Sequence, residues 1–390
     1  MSKLETLINT LCPNGVEYKE LWALTAWDKK FNAVDKEKQK RILRYHYFLA
    51  SDLKPLIVEG GNVKILTTNT SSLYTTEELA CEYLSEGEIV CIPWGGNPNV
   101  QYYKGKFITA DNRIATSLNT EILDNKFLYY YLQNQLDVIA TFYRGSGIKH
   151  PSMQKVLDLK IPVPPIEVQR EIVHILDNFT ELTAELTAEL TARKKQYEYY
   201  CNNLLCTNQN IEKVPLNQIA DIGTGSSNTD EGLTDGKYPF FVRSSEVLYK
   251  NEYEFDETAI ITAGDGVGVG KVYHFVSGKY ALHQRAYRIH VNDERVLPKY
   301  LFYYFKTSFL PYIQKTLYHG SVASIRRPML NNFLVPVPPL EEQNRIVEIL
   351  DRFDKLCNDI SQGLPAEIGA RKKQYEYYRD KLLSFKEKAI

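Results

Sequence analysis

Apolar residues return at steps of three and four along two stretches of the chain. After Pro164-Pro165 they fall at Ile172, Leu176, Phe179, Leu182, Leu186 and Leu190. After Pro338-Pro339 they fall at Ile346, Leu350, Phe353, Leu356, Ile360, Leu364 and Ile368. This spacing puts one apolar stripe on an α-helix, and the prolines suit a first helical turn, where a missing N–H costs little. The first helix, roughly 166–205, would be about 60 Å long at ~1.5 Å per residue. A helix of that length with one stripe needs a partner. Two equal copies are expected to pack as an antiparallel coiled coil; the alternative is that each lies on its own neighbouring body. Gly363 and Pro365 are expected to kink or interrupt the second helix.

Elsewhere the pattern changes to short apolar runs cut by Gly, Asn and Pro. GEIVCIPWGG (87–96), YPFFVRSS (238–245) and TAIITAGDG (258–266) read as strands. Two shorter helical stretches follow them, 125–143 and 298–317, and align with each other at an offset of 173. The chain therefore reads as two mixed α+β bodies, 1–160 and 211–334, with long helices over 161–210 and 335–390.

The bodies and helices are copies. IPVPPIEVQREIVHILDNFTEL (161–182) recurs as VPVPPLEEQNRIVEILDRFDKL (335–356) at an offset of 174, and ARKKQYEYYCNNLL (192–205) recurs as ARKKQYEYYRDKLL (370–383) at 178. A repeat of this length means one unit used twice. The first helix also holds a tandem, Thr183-Ala184-Glu185-Leu186 followed by Thr187-Ala188-Glu189-Leu190. Four residues advance a helix by about 6 Å with a net turn of ~40°, close to the ~35° of one base pair of B-DNA. Replication slippage without consequence is the plainer account of the tandem.

The 390 residues carry a net charge of −1, with 44% hydrophobic and 24% charged residues, as in ordinary globular proteins. Neutrality argues mildly against nucleic acid, but local charge argues for it. Arg295–Leu340 contains Arg295, Lys299, Lys306, Lys315, Arg326 and Arg327 and no acid, and Val138–Leu157 contains Arg144, Lys149 and Lys155 and no acid. Such stretches fit phosphate contacts or a solvated basic face. Cys12, Cys81, Cys91, Cys201, Cys206 and Cys357 are dispersed without a C-x-x-C pair, so free thiols and no zinc are expected. No signal peptide or membrane-length apolar run is read, and a cytoplasmic location is expected.

Catalytic parts are missing from the pattern. No Gly-Lys pair precedes Ser or Thr as in a phosphate-binding loop, and the glycines of GDGVGVG (264–270) fail the dinucleotide spacing and read as a tight inter-strand loop. The Pro-Pro pairs occur only in VPPI and VPPL, not in an amino-methyltransferase motif, and no Pro-Asp pair opens a nuclease carboxylate cluster. No catalytic or metal-ligating residue is assigned.

With its Pro-Pro-hydrophobic-x-x-Gln helix starts, its TAEL tandem, its doubled ARKKQYEYY and its opening LETLINTLCPNGVEYKEL, essentially the whole chain resembles the specificity subunit of a type I restriction–modification system. The resemblance implies two target-recognition domains (1–160 and 211–334), each reading one half of a bipartite, asymmetric site in double-stranded DNA. It implies a pseudo-twofold arrangement about two antiparallel helices that set the spacer. It implies docking of two methyltransferase subunits and two motor-endonuclease subunits, which would hold S-adenosylmethionine, ATP and Mg2+, with no cofactor in this chain and no membrane. Recognition domains diverge too far for contact residues to carry over.

Base readout calls for forked donors and amides on exposed loops. In the first body these are Asn97, Asn99, Arg113, and Arg144, Lys149 and His150 of YRGSGIKHPSM; in the second they are Arg243, Gln284, Arg285, and His319, Ser321, Arg326 and Arg327 of YHGSVASIRRPM. Two other classes stay open on the residues alone: a DNA-modifying enzyme with an unrecognised active site, and a coiled-coil scaffold that binds only protein.

Overall fold

The run GEIVCIP becomes the centre of a six-stranded sheet because alternate side chains meet two different cores. In the computed structural model, which describes residues 3–206, 211–316 and 324–388, Val90 and Ile92 face the core shared with the helices. Ile89 and Cys91 pack on the other face with Leu66, Phe107 and Ile114. The sheet comprises β1 (Thr25–Trp27), β2 (Val63–Leu66), β3 (Tyr74–Thr75), β4 (Ser85–Pro93), β5 (Gln101–Thr109) and β6 (Asn112–Ser117). Its order is β1-β6-β4-β5-β2-β3, antiparallel apart from the parallel β2–β5 pair.

The second body repeats this plan. Its strands are β7 (Ala220–Thr224), β8 (Tyr238–Phe241), β9 (Val247–Lys250), β10 (Phe255–Ala263), β11 (Tyr273–Leu282) and β12 (Ala286–Val291), in the order β7-β12-β10-β11-β8-β9. The β8–β11 pair is again the parallel one. Each body also closes a small antiparallel pair, Glu17–Glu20 with Lys160–Val163 and Lys213–Pro215 with Leu334–Pro336. The class is α+β.

Five helices matter for the plan: α1 (Asn125–Asn134), α2 (Ile166–Cys206), α3 (Pro298–Thr316), α4 (Leu340–Asn358) and α5 (Leu364–Leu382). The α2 helix runs unbroken for 41 residues. The second long helix is interrupted near Gly363 and Pro365, as expected from those two residues, and forms two helices. It ends at Asn358, where the Asp359 carboxylate accepts from the Ser361 and Gln362 N–H groups, and restarts at Leu364 with Pro365 in its first turn. Ile360 was expected on the stripe but lies in the break and is exposed.

Packing divides the chain into two units, Met1–Ala184 with Ala370–Ile390, and Glu185–Gly369. The cut through α2 falls inside the TAEL tandem. In the first unit Val168, Ile172 and Leu176 of α2 join Phe127, Leu128 and Leu132 of α1 in one core, and Phe179 stacks on Tyr378 of α5. The C-terminal tail is sewn to the start of the chain: the Val16 N–H donates to the Lys386 carbonyl at 2.9 Å, and the Lys388 N–H to the Val16 carbonyl at 2.9 Å. In the second unit Cys201 and Leu205 of α2 and Ile346 and Leu350 of α4 meet Leu301, Phe305 and Phe309 of α3. Here α2 runs antiparallel to α4, since Tyr200 meets Phe353 while the Lys194 and Arg193 charges reach Cys357. The stripe thus serves both expected uses: its lower residues enter a body core, and its aromatic residues meet another helix.

The repeated words of the sequence are the joints. Gln169 is fully buried. Its Nε2 donates to the carbonyls of Ile122 (2.7 Å) and Pro164 (2.8 Å), and its Oε1 accepts from the Asp124 N–H (2.9 Å). Gln343 does the same with the Arg295 and Pro338 carbonyls, both 2.7 Å, and the Leu297 N–H at 2.8 Å. Tyr130 donates its hydroxyl to Asp177, and Tyr303 donates to Asp351. No helix among the described residues is long and apolar enough to cross a membrane.

Candidate nucleic-acid interface

In each body four separate chain segments converge. In the first they are Thr67–Asn69 after β2, Trp94–Val100 between β4 and β5, Asp111–Arg113 at the start of β6, and Arg144–His150. The Trp94 N–H donates to the Asp111 carbonyl at 3.0 Å, and the Gly96 N–H to the Lys149 carbonyl at 3.2 Å. The Tyr143 hydroxyl donates to the Pro93 carbonyl at 2.8 Å. His150 Nδ1 lies 2.8 Å from the Trp94 carbonyl, which can only accept, so the ring donates there. Asn97, Arg144, Lys149 and His150 are exposed on this frame.

Two of the residues expected to read bases are occupied otherwise. Arg113 is only 3% exposed. Its Nη1 donates to Asp111 at 3.0 Å and to the Asn112 carbonyl at 2.8 Å, and it lies 3.8 Å from the buried Asp28 carboxylate. The guanidinium stands 4.1 Å over the Trp94 ring, whose other neighbour is the His150 ring at 5.1 Å. Burial pushes the Asp28 carboxyl up, opposed by its hydrogen bond from Tyr47, the Arg113 charge and the Ile114 N–H. Arg113 therefore balances an interior carboxylate and supports Trp94; it is not a surface donor. The expectation failed because β6 turns this position inward. Asn99 spends both amide protons on the carbonyls of Thr68 (2.8 Å) and Asn97 (3.2 Å), which makes it a brace of its loop.

In the second body the segments are Arg243–Ser244 after β8, Gly264–Gly268 after β10, the His283–Arg285 turn before β12, and Ser324–Arg327. Asp265 is their hub. Its carboxylate accepts from Arg243 at 2.8 Å and from Arg285 at 3.1 Å. Partial burial raises its pKa, but these two hydrogen bonds and charges outweigh that and hold it below the usual carboxylate range. The Gly264 N–H donates to the Arg285 carbonyl at 2.9 Å, and the Ile325 N–H to the Gly264 carbonyl at 2.8 Å. Buried His283 uses Nδ1 to accept from the Arg285 N–H at 2.9 Å, so its imidazole is neutral with the proton on Nε2. Burial, followed by the Arg243 charge, lowers its pKa. Gln284 is exposed, with its amide on Asn228.

Arg326 is exposed, and exposed Arg327 also donates to the Ile222 carbonyl at 2.7 Å. His319 and Ser321 lie outside the described residues. The acid-free stretch from Arg295 is less basic in space than along the chain. Arg295 pairs with Asp293, Lys299 with Asp351 and Lys306 with Asp354, two of these acids coming from α4. Sequence reasoning missed Asp265, Asp28, Trp94 and His283. Only Asp265 left a signal, as the single charge in GDGVGVG, which is indeed the loop between β10 and β11.

The two clusters share a frame and differ in side chains. They present exposed guanidiniums, an ammonium and amides on short braced loops, the donors that contact phosphates and base edges. Among the described residues no three His, Cys, Asp or Glu side chains gather as metal ligands.

A family model described as "Type I restriction modification DNA specificity domain" matches residues 34–193 and 208–370. A putative type I restriction enzyme specificity subunit of Haemophilus influenzae is 34% identical over 332 residues, 78% of this chain and 84% of that protein. The EcoR124I/EcoR124II specificity subunit of Escherichia coli is 36% identical over 303 residues, 70% of this chain and 74% of that one. The fold is also that of the crystal structure of a type I restriction–modification S subunit from M. genitalium, with a TM-score of 0.67 over 95% of this chain and 96% of that one, at 15% identity. With two matched domains on one repeated frame, the chain belongs to the family of type I restriction–modification specificity subunits and carries two recognition domains.

Proposed function

We propose that each body reads one half of a bipartite, asymmetric site in double-stranded DNA through its four-segment cluster. The observation that carries this reading is the contrast between frame and loops. The buried Gln169 and Gln343 joints are alike to the hydrogen bond. The loop clusters of the same two bodies display different side chains, Arg144, Lys149 and His150 against Arg243, Arg285 and Arg326. One frame with two sets of donors presents two different hydrogen-bonding patterns to the major groove.

In this reading the helices are the spacer and the dock. The TAEL tandem of α2 sits where the two packing units divide, and in this reading the number of units tunes the spacer of the target site. Two methyltransferase subunits dock on the helices, and two motor-endonuclease subunits complete the restriction complex. S-adenosylmethionine, ATP and Mg2+ bind on those subunits, and the complex works in the cytoplasm. This chain contributes recognition: exposed cations hold the phosphates, and forked donors on braced loops select bases.

The test is modification-sensitive sequencing of DNA methylated by the assembled methyltransferase complex. Arg144→Ala is expected to relax one half of the methylated motif only, and Arg285→Ala the other half only. Both substitutions altering the same half, or neither altering the motif, would reject the assignment.

A further inference from the structure

The loop G-V-G-V-G (266–270) carries two valines with opposite fates. Val269 is 5% exposed and belongs to the helix-side core. Val267 is 95% exposed. Its position is held from both sides. Gly266 has φ +80°, a conformation that a side chain would strain, and a Cβ on Gly268 would stand 2.4 Å from the Arg243 carbonyl oxygen. The Val269 N–H closes a turn on the Gly266 carbonyl at 3.2 Å, and the Lys271 and Val272 N–H groups both reach the Gly268 carbonyl, at 3.0 and 2.9 Å. The loop is a fixed turn that lifts one isopropyl group into solvent.

That turn begins at Asp265, the hub of Arg243 and Arg285, and is joined through Gly264 to Ile325, next to exposed Arg326. An apolar side chain held out two residues from Asp265, the shared partner of Arg243 and Arg285, has no hydrogen bond to offer. Phosphates and guanine edges suit its neighbours. The apolar group that the major groove displays is the C5-methyl of thymine. The first body has a parallel feature on a different loop: Ile148, 69% exposed, follows Gly147 and precedes Lys149.

Resting on the reading of the second body as a half-site reader, we propose that Val267 packs against the C5-methyl group of a thymine in that half-site. A protein partner fits this position less well, because protein hot spots sit in wide patches that exclude water, and a single isopropyl group between glycines is not such a patch.

The test uses the assembled methyltransferase complex and duplexes carrying its own methylated motif. Each thymine of the second half-site, on either strand, is replaced singly by uracil, which removes the methyl group and nothing else. For the native complex one such replacement is expected to weaken binding about fourfold, the effect of losing one buried methyl-sized group. Val267→Ser is expected to bind the thymine duplex about fourfold more weakly and to make no distinction between thymine and uracil. Val267→Ile is expected to keep the distinction, and both variants should melt with the native protein.

Equal binding of every uracil duplex by the native complex would overturn the proposal. So would discrimination retained by Val267→Ser, a half-site without an A·T pair, or loss of the methyltransferase subunits from Val267→Ser on gel filtration. Each of these leaves half-site reading intact provided the motif is still recognised. A native complex that selects no motif would instead remove the reading on which the proposal rests.

Discussion

Phe179 of α2 stacks on Tyr378 of α5, with ring centroids 5.5 Å apart and planes at 22°. Its counterpart is Phe353 of α4 against Tyr200 of α2, at 5.2 Å and 34°. The phenylalanines are related by the offset of 174 and the tyrosines by that of 178. The first long helix therefore supplies the phenylalanine of one pair and the tyrosine of the other. A double-mutant cycle on Phe179→Ala and Tyr378→Ala is expected to give a coupling of about 1 kcal/mol in chemical denaturation. Strict additivity would mean that the stacking adds nothing beyond burial.

The buried glutamine joint gives a sharper effect. Gln169→Ala removes three hydrogen bonds and leaves the Ile122 and Pro164 carbonyls and the Asp124 N–H without that partner. The expected loss is on the order of 3 kcal/mol. Hydrogen exchange should show it as lost protection in α1 and the first half of α2, with α3 protected as before. Uniform loss across both units would show that they unfold as one.

Substitutions at Arg113 and Lys149 would tell a structural role from the proposed DNA contact. Arg113→Ala strands the buried Asp28 carboxylate beside Tyr47 and is expected to destabilise the first unit by about 3–5 kcal/mol. Lys149 is exposed, so Lys149→Ala should leave stability within ~0.5 kcal/mol. It should weaken binding to all sequences and lower the salt slope by about one unit. Arg326→Ala should behave in the same way. An unchanged slope for both would remove these loops from the interface.

His283 makes the second cluster acid-sensitive. Its pKa is lowered, first by burial and then by Arg243, with Arg285 adding and Asp265 and Glu231 opposing. Between the unfolded value of ~6.5 and the lower folded value, the unfolded chain binds more protons. Stability therefore falls as pH drops below ~6.5. Protonated Nδ1 also could not accept from the Arg285 N–H. Melting temperature should decline from neutral pH towards pH ~5, and His283→Asn should flatten that part of the profile. An equal decline in His283→Asn would assign the acid sensitivity elsewhere.

Local pattern made much of the fold legible. Steps of three and four located α2, Gly363 and Pro365 marked the break before α5, and the short apolar runs became β4, β8 and β10. What local pattern leaves out is which distant groups meet. Arg113 looked like a surface donor because nothing near it in sequence announces the Asp28 carboxylate 85 positions away. Lys299 and Lys306 looked like a basic face because Asp351 and Asp354 arrive from another helix. Asp265 was passed over because its meaning lies in Arg243 and Arg285, which the sheet brings to it.

Under the proposed function two separate readers work at a spacing set by α2. A third TAEL unit inserted after Leu190 preserves the apolar stripe and touches neither cluster. It adds a turn of ~40° against ~35° per base pair. The measurement is to sequence the motif methylated by a complex built on that variant. The expected motif has both half-sites unchanged and a spacer longer by about one base pair. An unchanged spacer, or an altered half-site, would contradict it.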